Sequence, residues 1–305
     1  MTSAAHNPGW RHPRYWPSWL GLGVLAVAAL LPLPLVWLLG SALGQILYYL
    51  HAPRRRIARR NIAACFPALD AGAQRRMVRG HFRALGAASL TPGIGWWASA
   101  ARLRRLTRYR NRDCLDKLLA AKRPVILLAP HFVGLEMGGM RISQEYPVVS
   151  MYKRAKNALF DRYMRRGRER YGVVMVERNA ELRPMIRLLR AGRLFYYLPD
   201  QDPGRRGSVF APFFGIPTAT VTALSRIARL ADAVVIPCFT KQLPYGRGYE
   251  VIFHPPLDNF PSGDELLDAT RMNQAIEAGV REMPEQYFWV HKRFKTRPEN
   301  EPAFY

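Results

Sequence analysis

The chain has 305 residues, 49% of them hydrophobic, and its 46 Lys and Arg against 22 Asp and Glu give a formal net charge of +24. This length and apolar content exclude a disordered chain and provide for an ample core. A positive charge this large, spread from Arg54 to Arg297, predicts a polyanionic partner: nucleic acid, an anionic membrane or an acidic protein.

The N-terminal segment is uncharged from Tyr15 to Leu50 and is dense in Leu, Val and Ala from Leu20 onward. It is long enough to cross a bilayer, and Trp and Tyr cluster at both of its ends. Because Pro32 and Pro34 interrupt it, an alternative stays open in which two half-helices lie in the membrane surface.

Arginines at 54–56, 59 and 60 follow this segment directly. The positive-inside rule therefore predicts that everything after residue 50 is cytoplasmic. We expect an N-terminal membrane anchor over residues 1–50 and one cytoplasmic domain over residues 51–305, attached to the membrane.

The rest of the chain alternates between the hydrophobic periods of helices and strands. Predicted helices span residues 57–65, 74–90, 113–121, 135–142, 157–170, 181–191, 220–230 and 264–282. Predicted strands span residues 125–128, 147–150, 173–176, 193–198 and 233–239, with an edge strand at 249–253. This alternation indicates an α/β fold with a mixed, mainly parallel sheet flanked by helices. His81 is expected on a surface helix.

Two polar residues follow the first predicted strand, where α/β folds place their chemistry. His131 comes just after the apolar run 125–128, and Glu136 is expected in the first turn of the next helix. A carboxylate on one imidazole nitrogen would leave the other nitrogen free as a base. We therefore predict that Glu136 folds back to orient His131. Asp200 also follows a predicted strand.

No metal or cofactor site is expected. Cys65, Cys114 and Cys238 lack metal-ligand spacing and are predicted to be reduced. The chain also has no glycine loop with the spacing that binds nucleotides.

The His-x₄-Glu pair and three further stretches, at 151–168, 196–217 and 284–298, resemble the lipid A secondary acyltransferases of the glycerolipid acyltransferase superfamily. The string Pro-Glu-Gln-Tyr-x-Trp-x-His-x-Arg-Phe-Lys-Thr-Arg-Pro at 284–298 is especially specific. The resemblance covers nearly the whole chain. It departs at 89–93, where family members often carry an acidic residue before a glycine.

The resemblance implies transfer of a fatty acyl group from acyl carrier protein to a hydroxyl of a lipid A precursor, with His131 as general base. Arg168 and Asp200 match family positions associated with activity. Arg168 is expected either to bind a phosphate of the acceptor or to help hold the site through a pair with Asp200. Backbone amides at 132–134 are candidate oxyanion donors. The basic residues predicted to bind the anionic substrates are Arg154, Lys156 and Arg205.

Two alternatives to this function stay open. The acceptor could be another lipid, such as a lysophospholipid or an ornithine lipid, with the same base. A membrane-tethered nucleic-acid-binding protein would explain the charge, but the sequence has no recognition motif or basic stripe with stacking aromatics, so no nucleic acid is expected.

Overall fold

The computed structural model describes residues 9–177 and 182–305. After a short 3-10 helix (Pro13–Tyr15), the N-terminal segment forms two helices, α1 (Trp16–Leu30) and α2 (Leu33–Leu50). The backbone is extended at Leu31 and Pro32, and this confirms that the prolines interrupt the segment. Among the described residues, α2 is the one helix whose length and composition would let it cross a membrane, which suggests anchoring.

Ten further α-helices follow in the described residues. They are α3 (Ala52–Cys65), α4 (Ala71–Leu90), α5 (Pro92–Trp97), α6 (Ala100–Leu106), α7 (Asp113–Ala120), α8 (Leu135–Ser143), α9 (Ala158–Glu169), α10 (Leu182–Arg190), α11 (Ala223–Ala231) and α12 (Glu265–Glu282). Each predicted helix corresponds to one of these. Glu181, the first residue of one predicted helix, lies outside the described residues.

Nine strands complete the fold of the residues that the structure describes. They are β1 (Thr107–Arg110), β2 (Val125–Leu128), β3 (Val148–Tyr152), β4 (Val174–Glu177), β5 (Leu194–Tyr197), β6 (Ser208–Phe213), β7 (Ile216–Val221), β8 (Val234–Gln242) and β9 (Tyr249–Phe253). Seven of them form one sheet in the order β1-β9-β8-β2-β5-β3-β4, and β6 and β7 form a separate hairpin. Every pairing in the large sheet is parallel except β8 with β9, which confirms the mixed, mainly parallel α/β fold.

Three details of the prediction were wrong. Strand β9 is not at the edge, because β1 pairs with it on its outer side; β1 alternates Thr, Arg, Tyr and Arg and has no apolar run to reveal it. The helix predicted from residue 220 begins at Ala223, because the preceding residues belong to β7. The β6–β7 hairpin was also missed, since no strand was predicted between residues 198 and 233.

The sheet is buried on both faces. Strand β2 is fully buried, and its side chains alternate between two hydrophobic clusters on opposite sides of the sheet. His81, expected on a surface, is also fully buried on α4 and lies 3.0 Å from the carbonyl of Glu285. Burial lowers the pKa of His81 to about 4, so this imidazole is neutral near pH 7.

Candidate active site

The candidate site lies where the neighbouring strands β2 and β5 end. The two strands are parallel, and Leu128 is paired with Tyr197 in the register. The chain leaves both strands in the same direction, and one more hydrogen bond, from the Ala129 amide to the Tyr197 carbonyl (2.8 Å), joins the two exits. His131 and Asp200 each follow their paired strand residue by three positions, so the register brings them together.

His131 and Asp200 are hydrogen-bonded twice. The Nδ1 atom of His131 lies 2.6 Å from Oδ1 of Asp200, and the backbone amide of His131 donates to Oδ2 at 2.9 Å. The Asp200 side chain is 2% exposed, whereas that of His131 is 25% exposed. Among residues 9–177 and 182–305, no group bonds to Nε2 of His131. A carboxylate on Nδ1 fixes the tautomer in which Nε2 is a free base.

The charge state of Asp200 supports this arrangement. Burial by itself raises the pKa of the Asp200 carboxyl, but the nearby His131 and the hydrogen bonds from it lower the pKa further, so the net direction is below the usual value. Asp200 is therefore ionised near pH 7. Its negative charge stabilises the imidazolium that forms when His131 takes up a proton.

Glu136 is not the partner of His131, so that prediction was wrong. It lies in the first turn of α8, as expected, but its carboxylate binds the guanidinium of Arg168 on α9. Nη2 of Arg168 donates to Oε2 at 2.6 Å, and Nε lies 3.1 Å from both carboxylate oxygens. Arg168 consequently does not pair with Asp200 either. The helix turns Glu136 toward α9, so the carboxylate that binds the His131 imidazole is that of Asp200, in the loop after β5.

Trp96 on α5 completes the second pair and was missed by the sequence reasoning. Its indole N–H donates to Oε1 of Glu136 at 2.8 Å. Burial raises the pKa of the Glu136 carboxyl, but Arg168 and the hydrogen bond from Trp96 outweigh it, so that pKa lies below its usual value. Glu136 is therefore an anion near pH 7. Trp96 is far in sequence from every motif, and no sequence signal pointed to it.

A cavity of about 80 Å³ adjoins the Glu136–Arg168 pair. It extends between β3, β4 and β5, and its lining is mainly aliphatic. The lining residues are Leu135, Glu136, Gly139, Met140, Val148, Ser150, Met151, Arg168, Val173, Met175, Tyr196 and Leu198. A mainly apolar cavity with a few polar groups at one side is typical of a site for a ligand with an apolar chain.

The C-terminal segment fixes the loop that carries His131. The Phe288 amide donates to the His131 carbonyl at 3.0 Å, and the Val133 amide donates to the Gln286 carbonyl at 2.9 Å. Phe132 also donates its amide, to the Pro130 carbonyl at 2.8 Å. Two of the three amides expected to serve as oxyanion donors are thus already hydrogen-bonded within the protein.

The same C-terminal segment fixes the loop that carries Asp200. Nε2 of His291 accepts a hydrogen bond from the Asp202 amide at 3.1 Å, and the Asp202 carboxylate accepts from the amide and hydroxyl of Thr296 at 2.7 and 2.9 Å. His291 therefore has a structural hydrogen-bonding role.

The three predicted substrate-binding residues do not form one group. Arg154 and Lys156 line an open groove of about 490 Å³ beside α9, together with Arg162, Arg165 and Arg166. Arg154 also lies 2.9 Å from Glu177. Arg205 is not among the residues that line this groove, and its nearest carboxylate, that of Glu299, is 3.9 Å away. In the described part of the chain, no cluster of three His, Cys, Asp or Glu residues could hold a metal ion.

The fold and this site define a class: an α/β protein with a histidine–carboxylate pair at the carboxyl ends of parallel strands, and with a mainly apolar cavity beside a second, Glu–Arg pair. The particular family follows from comparison with known proteins. Residues 4–296 match the bacterial lipid A biosynthesis acyltransferase family, and the chain belongs to that family. It is therefore an acyltransferase of lipid A biosynthesis.

Individual relatives agree over the full length. The chain is 36% identical to the lipid A biosynthesis lauroyltransferase of Escherichia coli (strain K12) over 295 residues, 96% of each chain. It is 35% identical to the lipid A biosynthesis palmitoleoyltransferase of the same strain, again over 96% of each chain. It is 30% identical to the strain's lipid A biosynthesis myristoyltransferase, over 97% of this chain and 92% of that protein.

Proposed function

We propose that the protein transfers a fatty acyl group from acyl carrier protein to a hydroxyl of a lipid A precursor, at the cytoplasmic face of the inner membrane, with His131 as general base. The observation that carries this proposal is the His131–Asp200 pair, which leaves Nε2 unbonded within the described residues, in a side chain that is 25% exposed. An alcohol is a weak nucleophile near pH 7, so its attack on an acyl group needs such a base.

The reaction then proceeds through two proton transfers at one atom. Nε2 of His131 takes the proton of the acceptor hydroxyl as the hydroxyl oxygen attacks the carbonyl carbon of the thioester. The tetrahedral intermediate collapses, the C–S bond breaks, and the imidazolium returns the proton to the leaving thiolate of the carrier. No covalent acyl-enzyme is required, because the thioester is already activated and the acceptor attacks it directly.

Arg168 supplies positive charge to the cavity that it lines. Its guanidinium lines the cavity and is held by three contacts to Glu136, so its position is fixed before substrate arrives. A cation fixed in this way can hold a negatively charged group of a substrate, such as a phosphate of the acceptor. The hydrogen-bonded amides of Phe132 and Val133 are not free to bind an oxyanion. The apolar wall of the same cavity would take the first carbons of the acyl chain.

Charge supports the proposed partners. Acyl carrier protein is acidic and the acceptor carries phosphates, whereas this chain has a net charge of +24. The groove beside α9 brings Arg154, Lys156 and Arg165 together, so it can hold an anionic group of either substrate.

The test is acyl transfer by a His131→Ala variant, measured with acyl carrier protein carrying a radiolabelled fatty acid and with each candidate acceptor. We expect the rate with a lipid A precursor to fall by about 10²- to 10⁴-fold, as loss of a positioned acid–base group usually costs. His51→Ala, the same change at an exposed histidine, should leave the rate unchanged. Near wild-type turnover by His131→Ala would exclude His131 as the general base. If the wild-type protein acylates a lysophospholipid faster than the lipid A precursor, the proposed acceptor is excluded.

A further inference from the structure

The helices α1 and α2 each have one buried and one exposed face. The buried faces include Leu25 and Ala28 on α1 and Val36 and Tyr48 on α2. The exposed faces are apolar, and they hold most of the large exposed hydrophobic side chains of the described chain. On α1 and α2 these are Trp16, Trp19, Leu20, Val24, Val27, Leu30, Leu35, Leu38, Leu39, Leu43, Ile46, Leu47, Tyr49 and Leu50. We call this set the outer face.

The inner side of α2 is fixed to α4 along its length, with the two helices antiparallel. A Cβ on Gly40 would lie 2.5 Å from the Cα of Ala87, and a Cβ on Gly44 would lie 2.0 Å from the carbonyl oxygen of Phe82. Contacts this close require glycine at both positions, since a larger residue would push the helices apart. Farther along, the Gln45 side chain donates to the Arg79 carbonyl at 3.1 Å. Helix α2 is thus part of the folded domain and not a separate anchor.

This packing argues against a helix that crosses the bilayer. If α2 stood along the membrane normal, the adjacent part of α4 would enter the hydrocarbon with it. Arg83 is level with Gly44, and Arg79 donates to the hydroxyl of Tyr49 at 3.0 Å; both arginines are exposed. Each charged residue near the centre of a bilayer costs about 2.5–3.5 kcal/mol on insertion scales.

The turn between α1 and α2 leads to the same conclusion. Arg102 on α6 donates hydrogen bonds from its guanidinium to the carbonyls of Ala29 and Leu31. Arg104 and Arg105, two and three residues further along α6, are exposed. In a single span from residue 20 to residue 50, this arginine-rich region would lie near mid-membrane, where such side chains are strongly disfavoured.

A groove of about 490 Å³ lies between α1 and α2, next to the outer face. Its lining has only apolar side chains and one glycine. Its lining residues are Trp19, Leu20, Gly23, Val24, Val27, Ala28, Leu31, Val36, Leu39 and Leu90. A groove of this composition, in a basic chain that exposes arginines on α4 and α6, is complementary to acyl chains beneath anionic headgroups.

We infer that α1 and α2 lie in the plane of one leaflet, with the outer face among its acyl chains, and that the chain does not cross the membrane. The occupant of the groove is an acyl chain of a membrane lipid. This inference rests on the proposed membrane location, but it does not depend on the acyl-transfer reaction.

An aromatic path links the outer face to the candidate site. The ring of Trp19 on α1 contacts Tyr163 (5.7 Å between centroids), Tyr163 contacts Trp97 (6.4 Å) and Trp97 contacts Trp96 (5.7 Å). Trp96 is the residue that donates to Glu136. These ring contacts connect the outer face with the Glu136–Arg168 pair.

The topology is tested with single cysteines at Gly9, Leu30 and Glu299, each in a full-length chain whose Cys65, Cys114 and Cys238 are replaced by alanine. Intact cells are treated with a membrane-impermeant maleimide, and a second sample is treated after detergent solubilisation. We expect no labelling of any of the three in intact cells and labelling of all three in detergent. Only variants that retain acyl transfer are scored.

Two labelling patterns would overturn the inference. Labelling of Gly9→Cys but not Glu299→Cys in intact cells means that the segment spans the membrane. Labelling of Leu30→Cys in intact cells means that α1 and α2 form a hairpin that crosses the bilayer.

Contact of the outer face with lipid is tested separately, by sedimentation of the purified full-length protein with vesicles of phosphatidylethanolamine and phosphatidylglycerol. Leu38→Lys, on the outer face, should weaken binding by about tenfold or more, because lysine is strongly disfavoured among acyl chains. Leu266→Lys changes an exposed leucine on α12 and should bind like wild type. Unchanged binding by Leu38→Lys would exclude the outer face as the lipid contact, whereas failure of the wild type to bind would exclude the membrane location itself.

Discussion

Two carboxylates lie at the same edge of the sheet, and each is paired with a basic residue, but the two pairs join different parts of the molecule. Asp200 pairs with His131 across two neighbouring strand exits. Glu136, five residues from His131 in sequence, instead pairs with Arg168 across two helices. The first pair leaves an imidazole nitrogen unbonded within the described residues, whereas the second uses its carboxylate for Arg168 and Trp96.

The difference shows that sequence proximity is a poor guide to which carboxylate orients a histidine. Parallel strands in register bring their carboxyl ends together whatever the sequence distance, and here that distance is 69 residues. A helix that starts four residues after the histidine turns its side chains toward the neighbouring helix instead. The Asp200 pair is therefore suited to proton transfer, and the Glu136 pair to holding α8, α9 and Arg168 in place.

The largest expected effect is that of Asp200→Asn. An amide at this position no longer stabilises the imidazolium and no longer selects the tautomer with a free Nε2, and the equivalent change in a Ser-His-Asp triad costs about 10⁴-fold in kcat. We expect a rate loss of about that size in acyl transfer assays, with circular dichroism unchanged. A loss below tenfold would show that another group orients His131.

Glu136→Gln should reveal the structural character of the second pair. It leaves the Arg168 charge without its partner, which costs about 3–5 kcal/mol in fully buried pairs. Because the Arg168 side chain is 32% exposed, solvent screens part of its unpaired charge. We therefore expect the free energy of unfolding, measured in urea, to fall by about 2 kcal/mol. A double variant with Arg168→Gln should recover part of the stability, since no unpaired charge remains. Full stability of Glu136→Gln together with a rate loss as large as that of Asp200→Asn would instead return Glu136 to a direct role.

Acidification should erase the stability difference between the wild type and Glu136→Gln. Because the pKa of Glu136 is lower in the folded protein than its ordinary value of 4.5, its contribution is complete above that value and is lost as the pH falls through the folded pKa. Thermal unfolding from pH 7 to pH 3 should show melting temperatures that converge below about pH 4.5. Asp200 is present in both proteins, so its contribution to the pH dependence of stability cancels in the comparison. A constant gap across this range would mean that the charge of Glu136 does not stabilise the fold.

Trp96→Phe should have the smallest effect. It removes one hydrogen bond to Glu136 but keeps an aromatic ring, and hydrogen bonds to charged groups contribute about 1.5–3 kcal/mol. We expect the free energy of unfolding, measured in urea, to fall by an amount near the lower end of that range. Adding Trp96→Phe to Glu136→Gln should lower it little further. Fully additive losses would show that Trp96 acts through packing and not through the carboxylate.

The sequence alone determined the α/β class, most helices and strands of the sheet, and the placement of His131 and Asp200 after strands. These features depend on local hydrophobic periodicity and on turn residues such as Pro130 and Pro199, which are visible in a short window. The interruption of the N-terminal segment was likewise readable from Pro32, because proline lacks the amide that a helix needs.

Only the tertiary structure decided which charged residues meet. Asp200 reaches His131 through the register of β2 and β5, and Trp96 reaches Glu136 because α5 packs against α8; neither contact has a local sequence signal. Strand β1 was missed because it has no apolar run. The burial of His81 was missed because it depends on the chain near Glu285, which is distant in sequence. The physical reason is common to all of them: periodicity reports which face of an element is apolar, whereas long-range packing selects the element that covers it.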